Sequence, residues 1–399
     1  MAEFPLIISV DDHVIEPATL WTDRLSAKYH DVCPRVQRME FPESTFVGGK
    51  VSIVPGGKVL PADVWRYEKL KRPLFRLDSA VGVPRDEVNI QVITYEDMRP
   101  GSYQVKPRLE DMDINHLEAS LCFPTFPRFC GQTFLEAQDK ELALLCVKAY
   151  NDWMVEEWCA ESGGRLIPLI IVPLWDAQLA ADEVRRNAAR GVRATCFSEI
   201  PPFLGLPSVH DKGRYWDPFF QACAETGTVV NMHIGSSSKM PSTSEDAPAA
   251  VGSTLTHTNA TFSLVDYLFS GVLVRFPTLK LAYSEGQIGW IPYILERADK
   301  VWDENRGWGG VADIVPEPPS TYFHRQIFGC FFDDAHGLRS VEEIGADNIT
   351  YESDYPHSDS TWPHTREIAE RQMAHLDDET RRKILRGNAI KLFGLDLAP

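Results

Sequence analysis

The chain has 399 residues, 44% of them hydrophobic, and a formal net charge of −17. It is long enough for a large buried core, and its acidity excludes nucleic acid or an anionic membrane as a general partner. No apolar run is long enough to cross a bilayer, and Met1-Ala2-Glu3-Phe4-Pro5 lacks the basic and apolar regions of a signal peptide. Eight scattered cysteines, with no Cys-x-x-Cys pair, read as reduced buried thiols of a cytoplasmic protein.

In chain order, short apolar runs at 7–11, 119–123, 165–172, 192–197, 229–234, 279–284, 327–332 and 349–353 read as buried parallel strands. Helical patterns separate most of them. The spacing of Leu142, Leu145, Cys146, Ala149 and Trp153 predicts a helix over 138–161, stopped at Gly163-Gly164. Asp217-Pro218 predicts an N-cap and first helical residue, with Gly227 as the stop. A last helix starts around Asp377-Asp378-Glu379 and runs toward Gly387 or Leu392. Eight strands alternating with helices describe an α/β chain folded as a (β/α)8 TIM barrel, one metal-dependent domain over 1–399.

The stretch between the first two strands is too long for an ordinary barrel loop. Residues 24–110 therefore form an insertion, and 45–60 alternate like strands around Gly48-Gly49 and Gly56-Gly57. An insertion after the first strand emerges at the C-terminal face of the barrel, where it acts as a lid or as a decorative subdomain.

Residues two apart on a strand face the same way, so Asp11 and His13 both point at the barrel mouth, and Glu16 follows just beyond the strand. His233, Glu285 and Asp354 end the fifth, sixth and eighth strands. Each alone reads equally as a hydrogen-bonded structural residue or a helix cap. Their convergence at one face points to a metal site.

These residues carry a resemblance. The Asp-x-His opening, Asp217-Pro218-Phe219-Phe220 before His233, the run from Gly271 to Leu281, Ser353-Asp354-Tyr355-Pro356-His357 and Gly387-Asn388-Ala389 resemble the amidohydrolase-related family, which includes aminocarboxymuconate-semialdehyde and resorcylate decarboxylases. The resemblance implies a divalent metal held by Asp11, His13, His233 and Asp354. Two features depart from it: Glu285 stands where the decarboxylases usually carry a catalytic His, and Glu16 adds a carboxylate.

If Asp11, Glu16, Glu285 and Asp354 converge, one divalent ion leaves about two charges uncompensated, whereas two ions balance them. Carboxylate and imidazole ligands without thiolate suit iron or manganese as well as zinc. Asp-x-His-x-x-Glu together with Ser284-Glu285-Gly286 also resembles the TIM-barrel non-haem diiron monooxygenases that act on diterpenoid substrates. That resemblance implies two Fe ions, dioxygen, an external electron donor and hydroxylation of an acyl-CoA, with His257 and His336 as further ligands. Glu285, His257 and His357 are then the candidate catalytic groups. The alternative is a decarboxylase or hydrolase with one Zn or Mn, using Glu285 or His357 for proton transfer.

Arg66, Lys69, Lys71, Arg72 and Arg76 fall close together in the insertion and either hold the phosphates of coenzyme A or form a solvated face. The Trp-containing segment 301–308 either lines an acyl pocket or packs ordinarily. A homo-oligomer is compatible with all of these readings, as is a barrel that only binds ligands.

Overall fold

The computed structural model describes residues 4–48 and 50–397. Eight parallel strands form the wall: β1 (Ile7–Val14), β2 (Leu117–Pro124), β3 (Leu166–Ile167 and Leu169–Ile170), β4 (Ala194–Cys196), β5 (Val229–His233), β6 (Leu281–Ser284), β7 (Ile327–Phe331) and β8 (Ile349–Tyr351). The strand β3 is split because Pro168 has no N–H to give the ladder. Its first half pairs with β2 and its second with β4, while β8 pairs with β1, so the sheet closes into a barrel. All eight expected strands are present, most of them shorter than their apolar runs.

The helices follow their local signals with one exception. Lys140–Trp153 starts at Asp139, whose side chain accepts from Leu142 N, and continues through a looser turn at Met154–Cys159 and a tighter one at Ala160–Ser162. Asp377 caps the last helical stretch by accepting from Thr380 N. The segment Asp217–Thr226 ends at Gly227 (φ +67°), but Asp217 is its first residue and caps nothing. Its carboxylate instead pairs with Arg275 at 2.8 Å, a tertiary contact that outcompetes the local cap.

The insertion forms an antiparallel sheet of Arg35–Pro42, Val59–Tyr67, Leu70–Phe75 and Val92–Ile93, and a hairpin of Ser44–Val47 with Lys50–Ile53. The hairpin turns at Gly48 (φ +59°); Gly49, expected at the same turn, lies outside the described residues. Strand alternation divides the sheet's faces. Ala62 and Val64 make a small core of their own, while Trp65 and Tyr67 join the main core against Phe126 and Phe134. Backbone bonds tie the insertion to loops at the C-terminal ends of β5 and β8: Gly48 N gives to Ala247 O and Ala80 N to Pro356 O. It therefore packs on the face that carries the strand-end residues.

All eight cysteines are free and buried. Among the described residues, no helix is long and apolar enough to cross a membrane.

The wall is pinned behind the barrel mouth by Asp12, which is fully buried. It accepts from Ser9 Oγ (2.9 Å), Ser353 Oγ (2.7 Å), Tyr355 N (3.1 Å) and the Ser120 hydroxyl, joining β1, β2 and the end of β8. Burial raises its pKa, and the cation that opposes this is Arg108. That guanidinium is itself buried, giving hydrogen bonds to Gly101 O and His13 O, and lies 4.2 Å from the Tyr355 ring centre. Removing one partner of such a network strands the other. Asp12→Ala is expected to cost about 3–5 kcal/mol in denaturant unfolding of the metal-free protein, whereas an effect below about 1 kcal/mol would contradict the bracing role.

Candidate metal centre

Strand β1 does not keep a regular register against β2. Ser9 faces Ser120 and Asp12 faces Cys122, so β1 spends one extra residue there as a bulge. A bulge bends a strand and re-aims its side chains, and this one lies at Val10 and Asp11. Asp11 thereby turns toward His13, with Oδ1 3.5 Å from His13 Nε2, and its Oδ2 lies 3.5 Å from His233 Nε2 at the end of β5. The two Nε2 atoms are 3.2 Å apart, and His13 Nε2 is 3.3 Å from Asp354 Oδ1. Beyond β6, Glu285 Oε2 lies 3.2 Å from His233 Nε2.

These separations have a simple meaning. Ligands about 2.1 Å from a common ion stand about 3.0–3.4 Å from one another. The set therefore has the edge lengths of a coordination shell. Both Asp11 carboxylate oxygens are buried without a hydrogen-bond partner among the described residues, which suits a bound cation and little else. His233 gives its Nδ1 proton to the Ile234 carbonyl at 2.5 Å, so its Nε2 keeps a free lone pair. Burial pushes His233 down to about 4, and burial together with His357 lowers His13 well below the ordinary imidazole value. Both rings are thus neutral near pH 7, as metal ligands must be. Asp11, His13 and His233 fit a divalent ion, with Asp354 and Glu285 at its edge.

The carboxylates are held by their backbone. Glu285 (φ +59°) and Asp354 (φ +54°) occupy the left-handed region, which non-glycine residues visit at a cost of about 1–3 kcal/mol. Glu285 N donates to Glu352 Oε2 (3.0 Å) and Asp354 N to Asp11 O (3.0 Å). Asp11 is raised well above the ordinary carboxylate range by burial and then by Glu352, Asp354 and Glu285. Glu285 is raised likewise by burial, Asp354 and Asp359. Burial would also raise Asp354, but His357 and His13 outweigh it and hold it low. His357 stacks on His13 with ring centres 3.6 Å apart and its Nδ1 3.1 Å from Asp354 Oδ1. Burial lowers its pKa less than Asp354 raises it, so the net shift is upward.

Two residues that the sequence did not suggest complete the inner wall. Glu352 and Cys330 form a further possible ligand group with Asp11. Burial raises Glu352 to about 8 despite the bonds it accepts from Cys330 and from Glu285 N. Phe129, in the loop after β2, stacks on His233 with ring centres 4.1 Å apart. Glu199, following β4, shapes the loop after His233. Its Oε1 accepts from Gly235 N, the Ser237 hydroxyl and Asn259 Nδ2, and burial raises it to about 7.

Other expected residues lie elsewhere. Glu16 does not meet Glu285. Its two oxygens accept from Thr125 N (2.9 Å) and Phe126 N (2.8 Å), because β1 carries on to Val14 and delivers Glu16 to the loop after β2. His257 and His336 share a 350 Å3 pocket with Glu285, but neither joins a ligand group among the described residues. His257 sits at the start of a helix with Nδ1 3.2 Å from Thr254 O, and His336 is exposed beside Arg339. The basic residues of the insertion also separate. Lys69 and Lys71 are exposed, Arg66 bonds within its sheet to Gln37, and Arg76 bonds to Ser79 O and Asp97 O. Only Arg72 turns to the barrel, because its strand neighbours alternate away. Trp302 gives its N–H to Val315 O and Trp308 is 77% exposed, so neither lines the centre.

Two measurements test this arrangement. His13→Ala and His233→Ala are each expected to lower bound divalent metal more than about tenfold by elemental analysis without altering the circular dichroism spectrum. Glu199 gives a pH test. Its folded value of about 7 lies above that of an unfolded glutamate, so the native state holds the extra proton. Its contribution is lost as pH rises from about 4.5 to about 7, and Glu199→Gln should flatten that part of the stability profile.

Residues 45–395 match the family described as Amidohydrolase. Solved structures share the fold at low identity. An amidohydrolase from Mycobacterium avium subsp. paratuberculosis K-10 is 22% identical, with a TM-score of 0.69 over 98% of this chain and 100% of that one. A 2,6-dihydroxybenzoate decarboxylase from Rhizobium is 18% identical, with a TM-score of 0.61 over 98% and 100%. A dihydroxybenzoic acid decarboxylase from Polaromonas sp. JS666, solved with bound manganese and 2-nitroresorcinol, is 20% identical, with a TM-score of 0.59 over 81% and 94%. No protein of curated function matches the sequence. Because the family match spans most of the chain, from the insertion through the strand ends that carry His233, Glu285 and Asp354, the chain belongs to the amidohydrolase family.

Proposed function

We propose that the protein is a mononuclear, divalent-metal-dependent decarboxylase. The observation that carries this reading is the tight group of Asp11, His13 and His233 with Asp354 and Glu285 at its edge. The manganese-containing decarboxylase among the similar folds supports it. The ion would supply Lewis-acid polarisation of a substrate oxygen.

The chain's own groups account for the proton that must replace carbon dioxide. His357 Nδ1 faces Asp354, which leaves Nε2 free to exchange. Its raised pKa keeps it protonated at a higher pH than an ordinary imidazole. The Glu285 carboxyl, raised by burial and by its acidic neighbours, is a second proton holder at the same centre, standing where the decarboxylases resembled above carry a histidine. Phe123 and Phe129 line the two imidazoles with apolar surface and limit water there.

A two-iron oxygenase is the second reading. The pairing of Glu16 with Glu285 that suggested it is absent, but Asp11 is shared with Cys330 and Glu352, which keeps a second cation in view. Metal counting combined with assay separates the two. Protein loaded with manganese or zinc should hold about one ion per chain and release carbon dioxide from hydroxylated benzoic acids under anaerobic conditions. Two irons per chain with substrate-dependent oxygen uptake would sink the decarboxylase reading. Within it, His357→Asn and Glu285→Gln should each lower kcat by about 100-fold or more with metal content retained.

A further inference from the structure

Phe129 has a second face, and a pocket of about 380 Å3 opens over it. The walls come from three elements: Arg72 of the inserted sheet, Arg128 and Glu136 beyond β2, and Ser238 and Lys239 beyond β5. Gly235 sits on the same ring, and a Cβ there would lie 3.0 Å from Phe129 Cε2. Only glycine, at φ +83°, lets the loop come so close to one side of the ring, whose first face stacks on His233.

The charges of this pocket do not cancel. Arg128 is satisfied by Glu136 (2.7 Å) and the Ser238 hydroxyl. Arg72 has only a long bond to Phe126 O (3.4 Å) and, among the described residues, no carboxylate within ion-pairing distance. Burial pushes its pKa down; Asp78, Glu16 and Glu136, each beyond ion-pairing distance, pull it back up, and Arg128 adds to the fall. Lys239 Nζ lies 3.9 Å from the Phe203 ring centre and likewise has no carboxylate partner among the described residues. Arg72 and Lys239 thus line the same pocket from two different elements, in a protein whose net charge is −17. Arg72 is half-buried, and the planar edge of a guanidinium without an ion-pair partner matches the two oxygens of a carboxylate or phosphate. The pocket on the Glu285 side is opposite in character, lined by Glu285, Asp333, Asp334 and Asp359.

We infer that the pocket over Phe129 binds an oxyanion on the substrate, at the end opposite the one that reacts. The role as a substrate subsite rests on the proposal that the metal centre is the reacting site; the binding of the anion does not. The oxyanion is either the carboxylate of a small acid or the phosphate of a larger tail, and the pocket would orient the substrate by rejecting the reverse pose at the acidic mouth.

The test uses metal-free full-length protein and calorimetric titration with sodium phosphate and, separately, sodium acetate. One of the two is expected to bind with one site per chain. Arg72→Gln and Lys239→Gln should each raise Kd about tenfold, and Lys71→Gln, exposed on the other face of the inserted sheet, less than about twofold. Tighter phosphate binding assigns a phosphorylated tail, and tighter acetate binding a carboxylate tail. No saturable binding of either ion, or unchanged affinity in both variants, overturns the inference. If Arg72→Gln does not fold, Lys239→Gln decides, since its side chain is exposed. Neither result depends on metal or turnover, so failure here leaves the decarboxylase proposal standing, and failure of that proposal leaves the anion site standing.

Discussion

Four carboxylates, from Asp11, Glu285, Glu352 and Asp354, are gathered at the mouth of the barrel, largely out of water. Two charged carboxylates about 4 Å apart repel by about 4 kcal/mol at an effective dielectric constant of about 20, and their mutual repulsion adds to burial in pushing Asp11, Glu285 and Glu352 toward the protonated form. Nothing within the group repays this except His357, the one imidazole there that is held above its ordinary pKa. His13 and His233 are pushed the other way, toward the neutral form. A site with this balance is built around an external positive charge. The remaining architecture is legible as the means of keeping the acids together until that charge arrives.

The means are backbone devices at the strand ends, backed by buried side-chain braces behind them. A bulge in β1 re-aims Asp11, and left-handed residues at the ends of β6 and β8 turn Glu285 and Asp354 inward. Behind them, Asp12 ties three strands together, while Glu16 and Glu199 collect N–H groups from the loops after β2 and β5. Each brace is a buried carboxylate whose own ionisation is opposed by burial. The acidic composition of the chain is therefore spent partly inside it, as struts for loops that must not drift.

The inserted sheet adds asymmetry. It presents Trp65 and Tyr67 to the main core and sends Arg72 toward the loops after β2 and β5, where Arg128 and Lys239 also lie. The opposite mouth, near His257 and His336, is acidic. A barrel alone offers one open face to any ligand; a basic side and an acidic side on that face give it a direction. A further cavity, of about 690 Å3, lies by Leu6, Leu117 and Arg165, and none of the metal-centre residues lines it.

Local sequence determined the barrel, because buried parallel strands are apolar runs and their helices carry caps and stops that need no distant partner. It also determined Asp11, His13, His233 and Asp354 as mouth residues, since a strand end points to the same face wherever the strand sits. What it did not determine was which neighbours meet there. Glu16 follows the same strand as His13, yet its oxygens are claimed by Thr125 and Phe126, about a hundred residues away. Glu352 carried no signal, because β8 ends at Tyr351 and the alternation that orients side chains ends with it; Cys330, within β7, reads as one more apolar residue of a buried run. Phe129 and the separation of Arg72 from its basic neighbours depend on how the insertion settles on the loops. Periodicity reports the direction of a side chain relative to its own strand, and only the closed barrel decides what lies in that direction.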